Sequence, residues 1–387
     1  MDRRDFLRNM CYGGVATFGF PTVSFAHVRQ PGRLVFVLLR GGFDGLAAVV
    51  PYGDGAYRGL RGALAFDESD VVVLNDTFGL APGLAPLRSF WDDGELVVLH
   101  AMAIPYRTRS HFDGQAILET GLDRPVGASD GWLNRLLQVM PGDRSGIAIA
   151  SGMPRSMTGP HEVQTWSPTQ LGAVSDEYLE RLAVLYRADG TLHGRFEAAL
   201  QQQETVGEEP MAGAGARRGG ITPLMRAAAR ILRQATGPNV AAVEFSGWDT
   251  HANQGVAGGA LDRLLGQLAD GLVAFRTEMG TSWVDTTVVV MTEFGRTARP
   301  NGTRGTDHGT AGAGFVIGPR LARSAVLSDW PGLAQNSLYE GRDLKPTLDT
   351  RAVLKGAIAG TLDLTSSQAD RVFPDSAGAH GLYEMMR

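Results

Sequence analysis

Acids and imidazoles recur along this chain where a strand-like run has just ended. Asp44 follows residues 34–40 (LVFVLLR) across two glycines, and Ser110-His111 follows residues 95–102 (ELVVLHAM). Asp249 and His251 follow residues 239–245 (NVAAVEF), and Glu293 ends the β-branched run 287–291. Asp307-His308 closes the Gly/Arg/Asn-rich loop that comes next. In open α/β sheets ligands bind beyond the carboxyl ends of the strands. Carboxylates and imidazoles without thiolate suit Zn, Mn, Mg or Ca ions. Asp44, Asp249, His251, Glu293, Asp307 and His308 are more ligands than one ion usually takes, so the expectation is one or two divalent metal ions. A pair of ions can clamp the attacking and leaving oxygens of a phosphoryl or related transfer. A Ser110 hydroxyl held against such a metal loses its proton more easily and becomes a nucleophile. Arg296, with Arg109 and Asn301, flanks the proposed site and suits a small anionic substrate or its transition-state charge.

Each residue also has a plainer reading. Asp44 after two glycines suits a turn, and Asp249-Thr250-His251 suits the cap of a following helix. Arg296 can pair with Glu293 or another local carboxylate. Glu293 is harder to dismiss, because an unpaired carboxylate at the end of a buried strand is costly. The joint case rests on all of them falling on one predicted edge.

The elements that must position these residues are legible from their patterning. Residues 34–40, 95–102, 146–150, 239–245, 286–292 and 312–318 read as strands, with a shorter one at 71–74. Helices are expected at 112–119 (its start), 132–140, 176–203, 223–234 and 257–279, and a late helix is capped by Asp349. Strand 239–245, helix 257–279 and strand 286–292 read as a βαβ unit, which implies a parallel pair with a right-handed crossover. The fold class is therefore α/β, a doubly wound, mostly parallel sheet with helices on both faces. Residues 201–220 (QQQETVGEEPMAGAGARRGG) have a linker's composition and read as a surface excursion.

The 387 residues are 43% hydrophobic and 20% charged, ordinary for a globular protein with a large core. A net charge of −5 gives no basic field for nucleic acid or anionic lipid. Of 36 basic residues only Lys345 and Lys355 are lysines, a skew that reads as genome composition. Arg3-Arg4-Asp5-Phe6-Leu7-Arg8, a weakly apolar stretch and Ser24-Phe25-Ala26 together read as a twin-arginine signal over residues 1–26. The expected location is the periplasm or the medium, reached folded through the twin-arginine (Tat) translocase, with no stable membrane insertion. Residues 27–387 then form a single domain, and the one cysteine, Cys11, leaves with the signal.

The motifs Arg40-Gly-Gly-Phe-Asp-Gly45, Arg109-Ser-His-Phe112, Gly247-Trp-Asp-Thr-His251, Thr292-Glu-Phe-Gly-Arg-Thr297 and Gly305-Thr-Asp-His-Gly309 span nearly the whole mature chain. As a set they resemble a mostly Tat-exported bacterial family, number 1501 among the domains of unknown function, in the alkaline-phosphatase-like superfamily. The resemblance implies a sulfatase-like fold, one or two divalent metals, and transfer of phosphoryl, sulfuryl or phosphonyl groups. By position it makes Asp44 the first-strand metal aspartate, Asp249 and His251 the Asp/His pair of one metal, and His308 the late metal histidine with Asp307 beside it. Glu293 stands where the superfamily usually has an aspartate followed by histidine, and Phe294 replaces that histidine. In the superfamily's sulfatases and phosphodiesterases the nucleophile lies nine residues before a Thr-Gly pair; counting back from Thr120-Gly121 lands on His111, which the resemblance makes either a metal ligand or an unusual nucleophile, and a one-residue offset gives Ser110 instead. A formylglycine made from cysteine is excluded. Two functions follow: an exported metal-dependent hydrolase of phosphate or sulfate esters, or a non-catalytic exported protein using the same metal centre for structure, binding or surface assembly.

Overall fold

The first strand explains the architecture. Arg33–Arg40 (β1) is apolar at nearly every position, so neither of its faces tolerates water. Leu34, Phe36 and Leu38 point into one hydrophobic cluster, while Val35, Val37 and Leu39 point into another. Two cores on opposite faces of one strand require covering layers on both sides.

A computed structural model of the chain describes residues 32–142, 144–168, 176–187, 189–206 and 220–387. The twin-arginine segment, Cys11 and most of the 201–220 stretch lie outside the described residues. In chain order the main elements after β1 are β2 (Leu96–Ala103), α1 (His111–Thr120), α2 (Trp132–Val139), β3 (Gly146–Ile149) and β4 (Val163–Trp166). Then come α3 (Asp176–Tyr186), α4 (Gly190–Val206), α5 (Thr222–Leu232), β5 (Val240–Ser246), α6 (Ala260–Met279) and β6 (Thr286–Thr292). The last are β7 (Gly312–Ile317), β8 (Ala325–Leu327), β9 (Leu348–Asp349) and α7 (Thr350–Leu362).

These strands make a nine-stranded sheet in the order β8-β2-β7-β6-β1-β5-β3-β4, with β9 also on β2. Neighbours are parallel except around β7, which runs antiparallel to both β6 and β2. Residues of α5 and α6 build the core on one face of the sheet, and those of α1, α2 and α7 build the core on the other. The architecture is the expected mostly parallel α/β sheet with helices on both faces. Asp349 caps α7 as its sequence position suggests, accepting from the Arg351 N–H. Among the described residues no helix is long and apolar enough to cross a membrane.

Two expectations need correction. β5 and β6 run parallel in one sheet, as the βαβ unit implies, but they are not neighbours, because β1 lies between them, in register with Val240–Ser246 on one side and Thr286–Thr292 on the other. Sequence proximity favours the adjacent pairing, but β1 has both faces buried and needs both edges covered as well. The long helix expected over 176–203 is two helices, broken around the Asp189-Gly190 turn, where Asp189 Oδ1 accepts from the N–H groups of Thr191 and Leu192.

Candidate metal centre

The carboxyl ends of β1, β5 and β6 lie side by side, and each strand delivers a loop to the same edge. Gly41 leaves β1 at φ +127°, a conformation that favours glycine. A Cβ there would lie 2.6 Å from the Asp249 backbone nitrogen, so only glycine lets the two loops approach. Its N–H donates to Glu293 Oε1 at 2.9 Å. On the other side of the edge, Arg109 sits in the left-handed region at φ 65°, a conformation that costs a non-glycine residue about 1–3 kcal/mol. Its side chain is pinned by Asp343 (2.8 Å) and Glu340 (2.6 Å), and α1 starts two residues later with His111.

Three histidines from three different segments meet here. His111 Nε2 lies 3.0 Å from His308 Nε2, and His251 Nε2 lies 3.1 Å from the same atom. Asp249 completes the set. Its Oδ1 is 2.9 Å from His251 Nε2 and 3.2 Å from His308 Nε2, and its Oδ2 is 3.4 Å from His111 Nε2. His111, Asp249 and His308 each offer one atom within 4.8 Å of the others, and His251 adjoins that group through His308 and Asp249. A tetrahedral zinc ion with bonds of about 2.0–2.1 Å spaces its ligand atoms about 3.3 Å apart, close to the separations found here. The side chains of His111 and His308 are 25% and 26% exposed, so small molecules reach the group.

The other ring nitrogens decide what the cluster can hold. His111 Nδ1 meets Glu293 Oε1 at 2.8 Å, His308 Nδ1 meets the Arg109 carbonyl at 2.9 Å, and His251 Nδ1 meets Asp307 Oδ1 at 3.2 Å. Each partner only accepts, so each Nδ1 carries the hydrogen, and in the neutral ring each Nε2 turns a lone pair inward. Three lone pairs and a carboxylate facing one another at about 3 Å repel unless a cation or a proton lies among them. Metal-ligating histidines have this same outer hydrogen bond, which fixes their tautomer and raises their basicity. The donor set fits a divalent ion.

The charges agree with the geometry. The hydrogen bond to Glu293 raises His111 above the ordinary imidazole value, against the opposing effect of burial. Burial lowers His308, which keeps its lone pair available. Burial pushes Asp249 and Glu293 upward. For Asp249 the Arg296 hydrogen bond and charge outweigh that effect; for Glu293 the bonds from His111, Gln115 and Gly41 do, so both end low and ionised.

The structure sorts the residues singled out in the sequence into layers. Asp249, His251 and His308 face the common point, and His111 joins them as a fourth donor. Glu293 and Asp307, read from the sequence as ligands, sit one layer out and hold histidines through Nδ1. Asp44 is not in the group. Its Oδ2 accepts from Arg61 at 2.6 Å and Gln254 at 2.7 Å, its Oδ1 caps the short helix Gly45–Ala48, and it is 1% exposed. A guanidinium already neutralises that carboxylate.

Arg296 is buried and donates to Asp249 Oδ1 at 2.5 Å, the Gly41 carbonyl at 3.3 Å, and both the hydroxyl and carbonyl oxygens of Thr306. It positions Asp249, as the plainer sequence reading allowed, though with a different carboxylate. Asn301 holds the loop, donating to the His251 carbonyl (2.9 Å) and Asp307 (3.0 Å). Ser110 is the N-cap residue of α1, yet its side chain makes no capping bond. Phe294 contributes ring contacts to His111 and His308, with centroids 4.8 and 5.2 Å away. Sequence reading assigned no role to Gln254, whose side chain ties Thr250 and Thr306 to Asp44. The signal was weak, a lone glutamine three residues after His251.

A family model described as "Protein of unknown function (DUF1501)" matches residues 99–374. Comparison with curated proteins gives no match. Among solved structures, the C-terminal periplasmic domain of EcEptC from Escherichia coli in complex with Zn is similar at 12% identity, with a TM-score of 0.36, over 75% of this chain and 73% of that one. Ps i-CgsB in complex with k-i-k-neocarrahexaose is similar at 9% identity, with a TM-score of 0.41, over 91% of this chain and 77% of that one. The PsFucS1 sulfatase from Pseudoalteromonas sp. is similar at 15% identity, with a TM-score of 0.35, over 77% of this chain and 64% of that one. At these values the likenesses carry no role across.

Proposed function

The chain belongs to the DUF1501 family of proteins of unknown function, and on that premise we propose that it is an exported metal-dependent hydrolase of phosphate or sulfate esters. The observation that carries the reading is the convergence of three imidazole nitrogens and the Asp249 carboxylate, with Ser110 preceding the first of those histidines. His111, His251, His308 and Asp249 would hold the ion. A divalent ion in such a site polarises an ester oxygen and eases deprotonation of a neighbouring hydroxyl. Arg296 keeps Asp249 ionised and aimed. Ser110 Oγ, free of the capping bond its position usually makes, forms the new bond to phosphorus or sulfur. The bond to the ester oxygen breaks and the alcohol leaves with a proton. Water then hydrolyses the seryl ester and restores the hydroxyl. Export through the twin-arginine translocase would put this chemistry in the periplasm or outside the cell.

One observation favours a second reading, a non-catalytic metal-binding protein. The polar groups expected to grip an anion are engaged elsewhere: Arg109 by Asp343 and Glu340, Arg296 by Asp249, and Asn301 by Asp307. Metal analysis of the purified protein, followed by phosphatase, phosphodiesterase and sulfatase assays, separates the two. Hydrolysis abolished by Ser110→Ala, with metal content unchanged, supports the enzyme. A blank panel on fully loaded protein removes it in favour of the binding role. Full activity in both Ser110→Ala and His111→Ala removes the nucleophile assignment.

A further inference from the structure

His111, Gln115 and Glu119 recur every four residues on α1, so they form one stripe along the helix. A polar stripe is unexpected on a face that packs inward, and Glu119 is only 3% exposed. Its partner is Arg40, at the carboxyl end of β1. Arg40 donates to Gln115 Oε1 at 2.7 Å and to Glu119 Oε1 at 3.0 Å, and it also pairs with Glu244 of β5. The second oxygen of Glu119 accepts the Ser156 N–H at 3.0 Å.

Arg40 settles which way the Gln115 amide faces. The guanidinium has only donors, so the amide oxygen must face it. The amide nitrogen is thereby turned toward Glu293, donating to Oε1 at 2.9 Å. Glu293 Oε1 also takes the Gly41 N–H and His111 Nδ1, while Oε2 takes the Thr292 hydroxyl at 3.0 Å. A continuous chain therefore runs from Arg40 through Gln115 and Glu293 to the Nδ1 side of His111.

We propose that Gln115, oriented by Arg40, is a positioning residue for the metal centre: it anchors Glu293 so that His111 keeps its hydrogen on Nδ1 and its Nε2 lone pair toward the ion. The inference rests on the metal reading above. Carboxylates that hold a ligating histidine typically change metal affinity by about 10–100-fold when altered, and Gln115 acts one bond further back.

The test uses the full chain with two measurements. Zinc affinity is measured by competition titration for the unaltered protein, Gln115→Leu, Gln115→Glu and, as a control on the same helix, Phe112→Ala, whose ring is 89% exposed. The expected result is a loss of roughly tenfold in Gln115→Leu, a larger loss in Gln115→Glu, which sets an acceptor against Glu293, and none in Phe112→Ala. The second measurement is the nitrogen NMR spectrum of the His111 ring in metal-free protein at alkaline pH. A single Nδ1–H tautomer is expected in the unaltered chain and a mixture in Gln115→Leu. Unchanged affinity together with an unchanged tautomer in the Gln115 variants overturns the proposal. If the unaltered chain takes up no zinc, the metal reading fails alone. The tautomer then decides the role of Gln115: a mixture in Gln115→Leu supports it, and an unchanged spectrum ends it.

Discussion

Asp44 and Asp249 both lie just past the end of a parallel strand, both meet an arginine, and both belong to motifs that suggest a metal. Their surroundings differ. Asp44 is sealed from solvent and its charge is met by Arg61, with Gln254 and Ala47 using its other acceptor positions. Asp249 also has an arginine, but it is 41% exposed and faces three imidazole nitrogens that have nothing to donate when the rings are neutral. The histidines divide the same way. His100 is fully buried and satisfied, its Nε2 bonded to the Val49 carbonyl and its Nδ1 accepting the Ala101 N–H. The cluster histidines have one nitrogen satisfied and one open. Residue type does not separate a structural acid or imidazole from a functional one; the balance of donors and acceptors around it does.

The strongest way to break this comparison is to treat Asp44 as a ligand. Arg61→Ala strands a buried carboxylate and is expected to destabilise the fold by about 3–5 kcal/mol in chemical denaturation, with the metal content of the folded fraction unchanged. Loss of metal without loss of stability would put Asp44 back in the centre. His100 gives the next effect. Burial lowers it to about 4 from the ordinary 6.5. Between those values the unfolded chain binds more protons than the folded one, so stability rises with pH across the window. Acidification from pH 6.5 to 4 therefore costs about 3 kcal/mol through this residue, a slope that His100→Gln flattens. His308→Ala acts in the opposite place. It is expected to weaken zinc binding by more than about 100-fold, beyond the loss of an outer partner, with little change in the unfolding midpoint of the metal-free protein.

The sequence carries the strand ends well and the layers poorly. Uninterrupted apolar runs such as 34–40 and 286–292 identify buried parallel strands, and whatever follows them is delivered to one edge. Which of those groups touches an ion depends on tertiary contacts between segments 17 to 199 positions apart. Arg61 reaches Asp44 from a helix with no distinctive pattern, and the Arg109 carbonyl that holds His308 lies 199 positions away. Backbone carbonyls leave no mark in a sequence. The sequence leaves the role of His111 open between nucleophile and ligand for the same reason, because its Nδ1 partner, Glu293, lies 182 positions later. The insertion of β1 between β5 and β6 is likewise a long-range choice, set by edges that need covering.

The smallest effects sharpen the comparison most, because they compare two carboxylates in the same role. Glu293 and Asp307 each hold one histidine through Nδ1, but Glu293 is sealed from solvent, whereas the Asp307 side chain is 51% exposed. Glu293→Gln can keep an oxygen toward His111 while removing the charge. Without water to screen it, that charge is strongly felt by the ring, so a loss of about tenfold in zinc affinity is expected. Asp307→Asn makes the same exchange in contact with solvent, where screening leaves a change of about twofold or less. Raising the salt concentration should shrink the Asp307 effect further and leave the Glu293 effect nearly intact. Equal losses at the two positions, with equal salt dependence, would mean that burial of the outer carboxylate contributes nothing to how tightly the histidines hold an ion.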